Sequence, residues 1–113
     1  CDICIKEMRI TKGAAMPGYS ARPPAIPTVL LDDQVVRVTR WDFEPGAATG
    51  HHVHGMGYVV VTMSECEFLV EDATGEHRIK RPLGEVYRRD AGVEHNVING
   101  GDKPMSFIEI EYK

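Results

Sequence analysis

Three of the chain's five histidines fall within four positions, in "TGHHVHG" at 49–55, and a fourth, His95, sits in "DAGVEHNVIN" at 90–99. Imidazole titrates nearest to neutrality of all side chains and is the commonest protein ligand for divalent metals. Metal coordination and acid–base catalysis are therefore the two chemistries such a cluster offers. A packing accident or a solvated loop are the plainer alternatives. Strand geometry helps to separate them, because residues two apart point the same way. His52 and His54 share a face, whereas His51 points to the other. If the strand continues, Met56 and Tyr58 join the first set. Three neutral imidazoles converging from two strands inside a barrel would make a facial metal site with open positions.

The elements that must bring those residues together are short. Runs rich in β-branched and aromatic residues at about 29–31, 34–43, 51–54, 57–63, 66–71, 76–81, 85–89, 94–98 and 105–112 read as strands. Between them stand turn signals such as "LDDQ", "EPGAATG", "DATGE", "DAG" and "NGGDKP". "DATGE", between "CEFLVE" and "HRIKR", is a hairpin tip. Many short strands at this spacing mean an all-β sandwich or barrel rather than βαβ units. Upstream, "MPGYSARPPAIPT" at 16–28 carries four prolines and is expected to run as an irregular arm over the surface. The chain thus divides into an arm over residues 1–33 and a barrel over residues 34–113.

With 113 residues the chain fits one domain, and its 42% apolar content is that of a folded core. The formal charge is −4, and no run of adjacent Lys/Arg exceeds two, so a nucleic-acid backbone is not an expected partner. No apolar run approaches the roughly 20 residues of a membrane helix, and no secretory leader pattern is visible. The expectation is a cytoplasmic protein. The three cysteines, Cys1, Cys4 and Cys66, do not suggest a disulfide framework. The opening "CDIC" has the spacing of half a zinc site or a redox pair, yet a second pair and the usual βαβ context are both missing. The balance is against a function for Cys1 and Cys4. Cys66 alternates with Phe68 and Val70 and reads as core.

The two histidine segments resemble the motifs of the cupin superfamily, over about residues 36–112. Gly46 is followed by five residues, then His52-Val53-His54, three residues and Tyr58. Gly84 precedes five residues, then Asp90-Ala91-Gly92, two residues, His95, three residues and Asn99. Three positions depart from the pattern: Tyr58 stands where a ligand Glu is usual, Glu65 replaces a Gly, and Asp90 replaces a Pro. The resemblance implies a double-stranded β-helix, or jelly-roll, barrel and a divalent metal (iron, zinc, nickel or manganese) on His52, His54 and His95. It also implies a homodimer. Within the superfamily, "RWDFEPGAATGHHVHGMGYVVV", "RRDAGVEHNVIN" and "FIEIEYK" are similar to small single-domain cupins associated with β-alanine degradation.

Replacing a carboxylate ligand by Tyr58 leaves three neutral imidazoles around a dication, a site that favours anionic ligands. The expected function is a metal-dependent enzyme acting on a small anionic metabolite, dioxygenase-type chemistry standing slightly ahead of isomerase or lyase chemistry. The alternative is a non-catalytic cupin that binds or senses a small molecule through its metal. Tyr58 is the candidate catalytic residue, read as a pocket-lining hydrogen-bond donor, and His51 a bystander. Trp41 and Phe43 are expected to pack in the barrel, and Met56 and Met63 to be core. Glu109 and Glu111 are expected to be solvated, with Ile108 and Ile110 inward; Phe107 shares the acidic parity, which leaves the opposite assignment as the alternative. One of Arg88 and Arg89 should face inward, where it could bind a carboxylate.

Overall fold

The computed structural model describes residues 22–113, so Cys1, Cys4 and the first part of the proline-rich stretch, residues 16–21, lie outside the described residues. The described chain is all strand: β1 (Ile26–Asp32), β2 (Val36–Phe43), β3 (Ala48–Val53), β4 (Tyr58–Thr62), β5 (Cys66–Asp72), β6 (Gly75–Arg81), β7 (Val86–Arg89), β8 (Glu94–Asn99) and β9 (Met105–Tyr112). They form two antiparallel sheets, one ordered β1-β2-β9-β4-β7 and the other β3-β8-β5-β6. This is an all-β barrel, as the spacing of strands and turns indicated, and it has the jelly-roll form that the resemblance implied.

Local chemistry accounts for the main connections. The β5–β6 hairpin closes between Asp72 and Gly75, where the Asp72 carboxylate accepts from the Thr74 amide and hydroxyl at 2.8 and 2.6 Å. Between β1 and β2, Asp33 accepts from the amides of Val35 and Val36, both at 2.8 Å. Gly46 and Gly84, the leading glycines of the two motifs, have φ of 79° and 80°. That left-handed conformation is costly for a residue with a Cβ, which gives both motif letters a backbone reason.

Ile26–Thr28, expected to be irregular because of the neighbouring prolines, are instead the start of β1. Pro27 is accommodated because β1 is an edge strand, where a missing N–H can face away from the ladder. Upstream of it, the Ala25 amide donates to the Ala48 carbonyl at 2.9 Å, which ties the segment to β3.

Between the sheets, Trp41, Phe43, Val60, Cys66, Phe68, Val97, Met105 and Phe107 form one buried cluster. Phe107 lies at its middle, with ring centroids 5.5 Å from Phe43 and 5.7 Å from Phe68. Trp41 and Phe43 pack inward as the alternation of β2 requires. Met63 does not: it is 52% exposed, at the turn that follows β4. The core expectation fails there because alternation no longer applies once a strand has ended. Truncating Phe107 to Ala removes both ring contacts and should destabilise the protein by about 3–5 kcal/mol. Urea unfolding should show a lower midpoint with an unchanged slope.

Candidate metal centre

The β3–β8 ladder sets His52 directly opposite His95. His54 lies one residue beyond the end of β3, yet the pairing continues through it: its amide donates to the Val93 carbonyl at 2.9 Å, and its carbonyl accepts from the Gly92 amide at 2.8 Å. The ladder shifts register between Ala48 and His51, so Thr49 and Gly50 are both buried before strict alternation resumes. Past that irregularity His51 and Val53 face outward, while His52 and His54 face the barrel. His51 is paired with Glu94 at 2.9 Å on the exposed surface, as its parity indicated.

The three inward histidines are 4%, 2% and 9% exposed. Their rings stand nearly perpendicular in pairs, with centroids 4.7–5.1 Å apart. His54 Nε2 lies 3.0 Å from His52 Nε2 and 3.2 Å from His95 Nε2. Nitrogens bound at about 2.0–2.1 Å to one ion stand roughly 2.9–3.4 Å apart for angles between octahedral and tetrahedral, so the spacing fits a facial triad.

The hydrogen bonds behind the rings favour the same atoms. His52 Nδ1 faces the Gly50 carbonyl at 2.8 Å; a carbonyl only accepts, so Nδ1 carries the proton and Nε2 presents its lone pair. Thr49 supports this arrangement, its Oγ1 donating to the Gly50 carbonyl at 2.9 Å and accepting from the Val97 amide at 3.1 Å. Behind His54, a Glu109 carboxylate oxygen lies 3.9 Å from Nδ1, on the side away from the other histidines' Nε2 atoms. Burial, followed by the neighbouring His52, pushes His54 down to about 2 from its ordinary 6.5. The same two causes, in the same order, bring His95 down to about 3. Burial, the first cause for both rings, disfavours their charged form.

Tyr58, the residue in the carboxylate position of the first motif, is 3% exposed and stacks on His54 with ring centroids 4.1 Å apart. It lines the cavity, as expected. Glu109 and Glu111 overturn the expectation for β9: they are 6% and 0% exposed, whereas Ile108 and Ile110 lie on the half-buried outer face. Phe107, on the acidic parity, fixes that orientation, since its ring is committed to the core. Both adjacent arginines are exposed, but Arg89 lines the cavity whereas Arg88, of opposite parity, does not. Arg81 and Tyr87 also line it, and sequence reasoning had not selected either. Their signal was parity: Arg81 is two residues from Ile79, which packs against the core, and Tyr87 two from Arg89. Burial pushes the Tyr87 phenol up to about 12, so its hydroxyl keeps its proton.

A barrel of two antiparallel sheets with three inward histidines from one ladder defines a cupin, and a cupin-domain family model matches residues 39–111. The chain belongs to the cupin family. It is 47% identical over 94 residues to the beta-alanine degradation protein BauB of Pseudomonas aeruginosa, covering 83% of this chain and 99% of that protein. Among solved structures, a cupin domain from Bordetella pertussis Tohama I is 48% identical with a TM-score of 0.80, covering 82% of this chain and 97% of that one. A double-stranded β-helix protein from Klebsiella pneumoniae has a TM-score of 0.65 at 21% identity, over 90% of this chain and 85% of that one. This last likeness concerns the fold alone.

The depressed histidines carry a sign for stability. Below about pH 6.5 the unfolded chain protonates these rings while the folded, metal-free chain does not. Stability is therefore complete above 6.5 and is lost as pH falls toward the folded values of about 3 and about 2. The urea midpoint of metal-free protein should decline steadily over that range, and His54→Gln should flatten the decline. A profile identical in the variant would contradict the assignment.

Proposed function

We propose that this chain is a metal-dependent enzyme acting on a small anionic molecule, with His52, His54 and His95 holding one divalent ion. The observation that carries this reading is the meeting of three Nε2 atoms at 3.0 and 3.2 Å in a buried site, with the His52 proton committed to Nδ1 by the Gly50 carbonyl. When bound, the ion would supply Lewis acidity for isomerase or lyase chemistry, or oxygen activation if it is iron, the dioxygenase type standing slightly ahead. The protein's own contribution is orientation and exclusion of water. Gly50 and Thr49 fix the His52 ring, Glu109 faces His54 Nδ1, and Tyr58 stacks on His54 while offering its phenol to the cavity. Trp41, Phe68 and Phe107 give the cavity an apolar floor.

An anionic molecule suits this site because the three imidazoles bring no charge to offset a dication. The name of the Pseudomonas relative places that protein in β-alanine degradation, which supports a small polar metabolite as the substrate class here. The second reading, a non-catalytic cupin that captures a small molecule, uses the same residues and differs only in lacking turnover.

Elemental analysis of protein purified without an affinity tag tests the metal centre. About one ion per chain is expected, lost from the His52→Ala/His95→Ala double variant. No metal in either, and no rise in melting temperature on adding iron, zinc, nickel or manganese, would sink the reading.

The outer face of the five-stranded sheet supports a homodimer as a further part of the proposal. Val36, Val38, Val59, Val61, Ile108 and Ile110 lie there half-buried, an apolar band of the kind that marks an association surface. Light scattering should give a dimer mass for the native protein and a monomer mass for Ile110→Glu. A native monomer would remove this part of the proposal without touching the metal centre.

A further inference from the structure

The cavity beside the histidines has an interior volume of ≈ 40 Å³, against the 10–15 Å³ or so that one water needs by the same measure. It holds the end of a small molecule rather than a whole sugar or nucleotide. The remainder of any ligand must lie in the cavity mouth, where two cations converge from different sheets: Arg81 ends β6, and Arg89 ends β7. Both guanidinium groups flank one ring, with Arg81 3.7 Å and Arg89 6.0 Å from the centre of Tyr87. Arg81 is held there from the side by Glu85, Nη1 to Oε1 at 2.6 Å. Arg89 makes no ion pair among the described residues.

Charge then limits the partner. Arg81 is engaged by Glu85, whereas Arg89 has no acid paired with it among the described residues, so an anionic group is the partner the mouth suits. The planar fork of an arginine fits a carboxylate in two parallel hydrogen bonds. A second, independent observation comes from Trp41. It lines the same cavity at 3% exposure, and its Nε1 donor has no acceptor among the described residues. A buried donor without an acceptor is costly, and a polar ligand in the cavity would satisfy it.

We propose that Arg81 and Arg89, both beside Tyr87, form a carboxylate-binding subsite at the cavity mouth, so that the molecule taken up is a short-chain carboxylate whose opposite, polar end reaches the three histidines. The subsite stands on the arginines alone; the placement of the opposite end rests on the metal reading above. The chain between the two ends is short, because the interior admits little beyond a chelating group.

Two hydroxamates separate these parts. Acetohydroxamate chelates a divalent metal and lacks a carboxylate, whereas the monohydroxamate of succinate carries both groups. Calorimetric titration of zinc-loaded protein should show the carboxylated probe binding about tenfold or more tightly. Arg89→Met should erase that preference while leaving acetohydroxamate affinity unchanged, and Arg81→Met should reduce it. His95→Ala should abolish binding of acetohydroxamate. Equal affinities of the two probes in the native protein, or a preference that survives both arginine variants, would overturn the subsite. If neither probe binds, the metal reading fails, and the subsite is decided by titrating butyrate and succinate into metal-free protein. Saturable binding lost in Arg89→Met upholds it; absence of saturable binding overturns it.

Discussion

The site depends on one cross-strand pair. His52 and His95 face each other in the β3–β8 ladder, and their separation is fixed by backbone hydrogen bonds rather than by any packing of the rings. A one-residue slip in that ladder would turn His52 out to solvent and bring His51 in. The register is held at several points around the pair. Beyond β3, His54 exchanges main-chain hydrogen bonds with Val93 and Gly92; before it, the Thr49 hydroxyl accepts from Val97 of β8 and donates back to Gly50. The side chain of Asn96 reaches the Gly50 amide at 3.1 Å. The irregularity between Ala48 and His51 is thus pinned from both sides, and the alternation that follows it aims the histidines correctly.

Much of this was legible in the sequence, for a specific reason. The motif glycines need left-handed backbone and the histidines need period-two spacing, and both requirements leave letters at fixed intervals. The strand pattern and the hairpin at Asp72–Gly75 were legible through the same turn chemistry. β9 was not. Its sequence alternates acidic with aliphatic residues, and the usual burial preference puts the aliphatic set inside. The structure reverses it because Phe107 belongs to the aromatic cluster and fixes the parity of Glu109 and Glu111 behind it. Arg81 was hidden similarly, in a strand that is otherwise charged and exposed over most of its length. In β9 the anchor, Phe107, was visible but was outweighed by the general burial preference; in β6 parity was visible without an evident anchor.

The reversal gives the five-stranded sheet an unusual distribution of chemistry. Its inner face carries Arg37, Thr39, Glu109 and Glu111 alongside the aromatic residues, and its outer face carries a band of valine and isoleucine. Of the buried polar groups Glu109 lines the cavity, and the apolar residues outside are left where another surface can cover them. Tyr58 belongs to the same logic. A phenol replaces the acid of the first motif, and the nearest carboxylate, Glu109, comes from β9 and faces the back of His54. The carboxyl group is displaced by one ring's width from the convergence of the histidine nitrogens. That displacement keeps an acid beside the site without spending one of the positions that a ligand can occupy.

No strand of one sheet is laddered to a strand of the other among the described residues, so the barrel is two leaves held together mainly through their side chains. His52 and His95 belong to one leaf, and Tyr58, Arg89 and Glu109 to the other. A molecule that engaged both groups would act as a rivet through the pair. Its binding energy would add to the side-chain packing that holds the leaves together, so that filling the cavity would also fasten the fold.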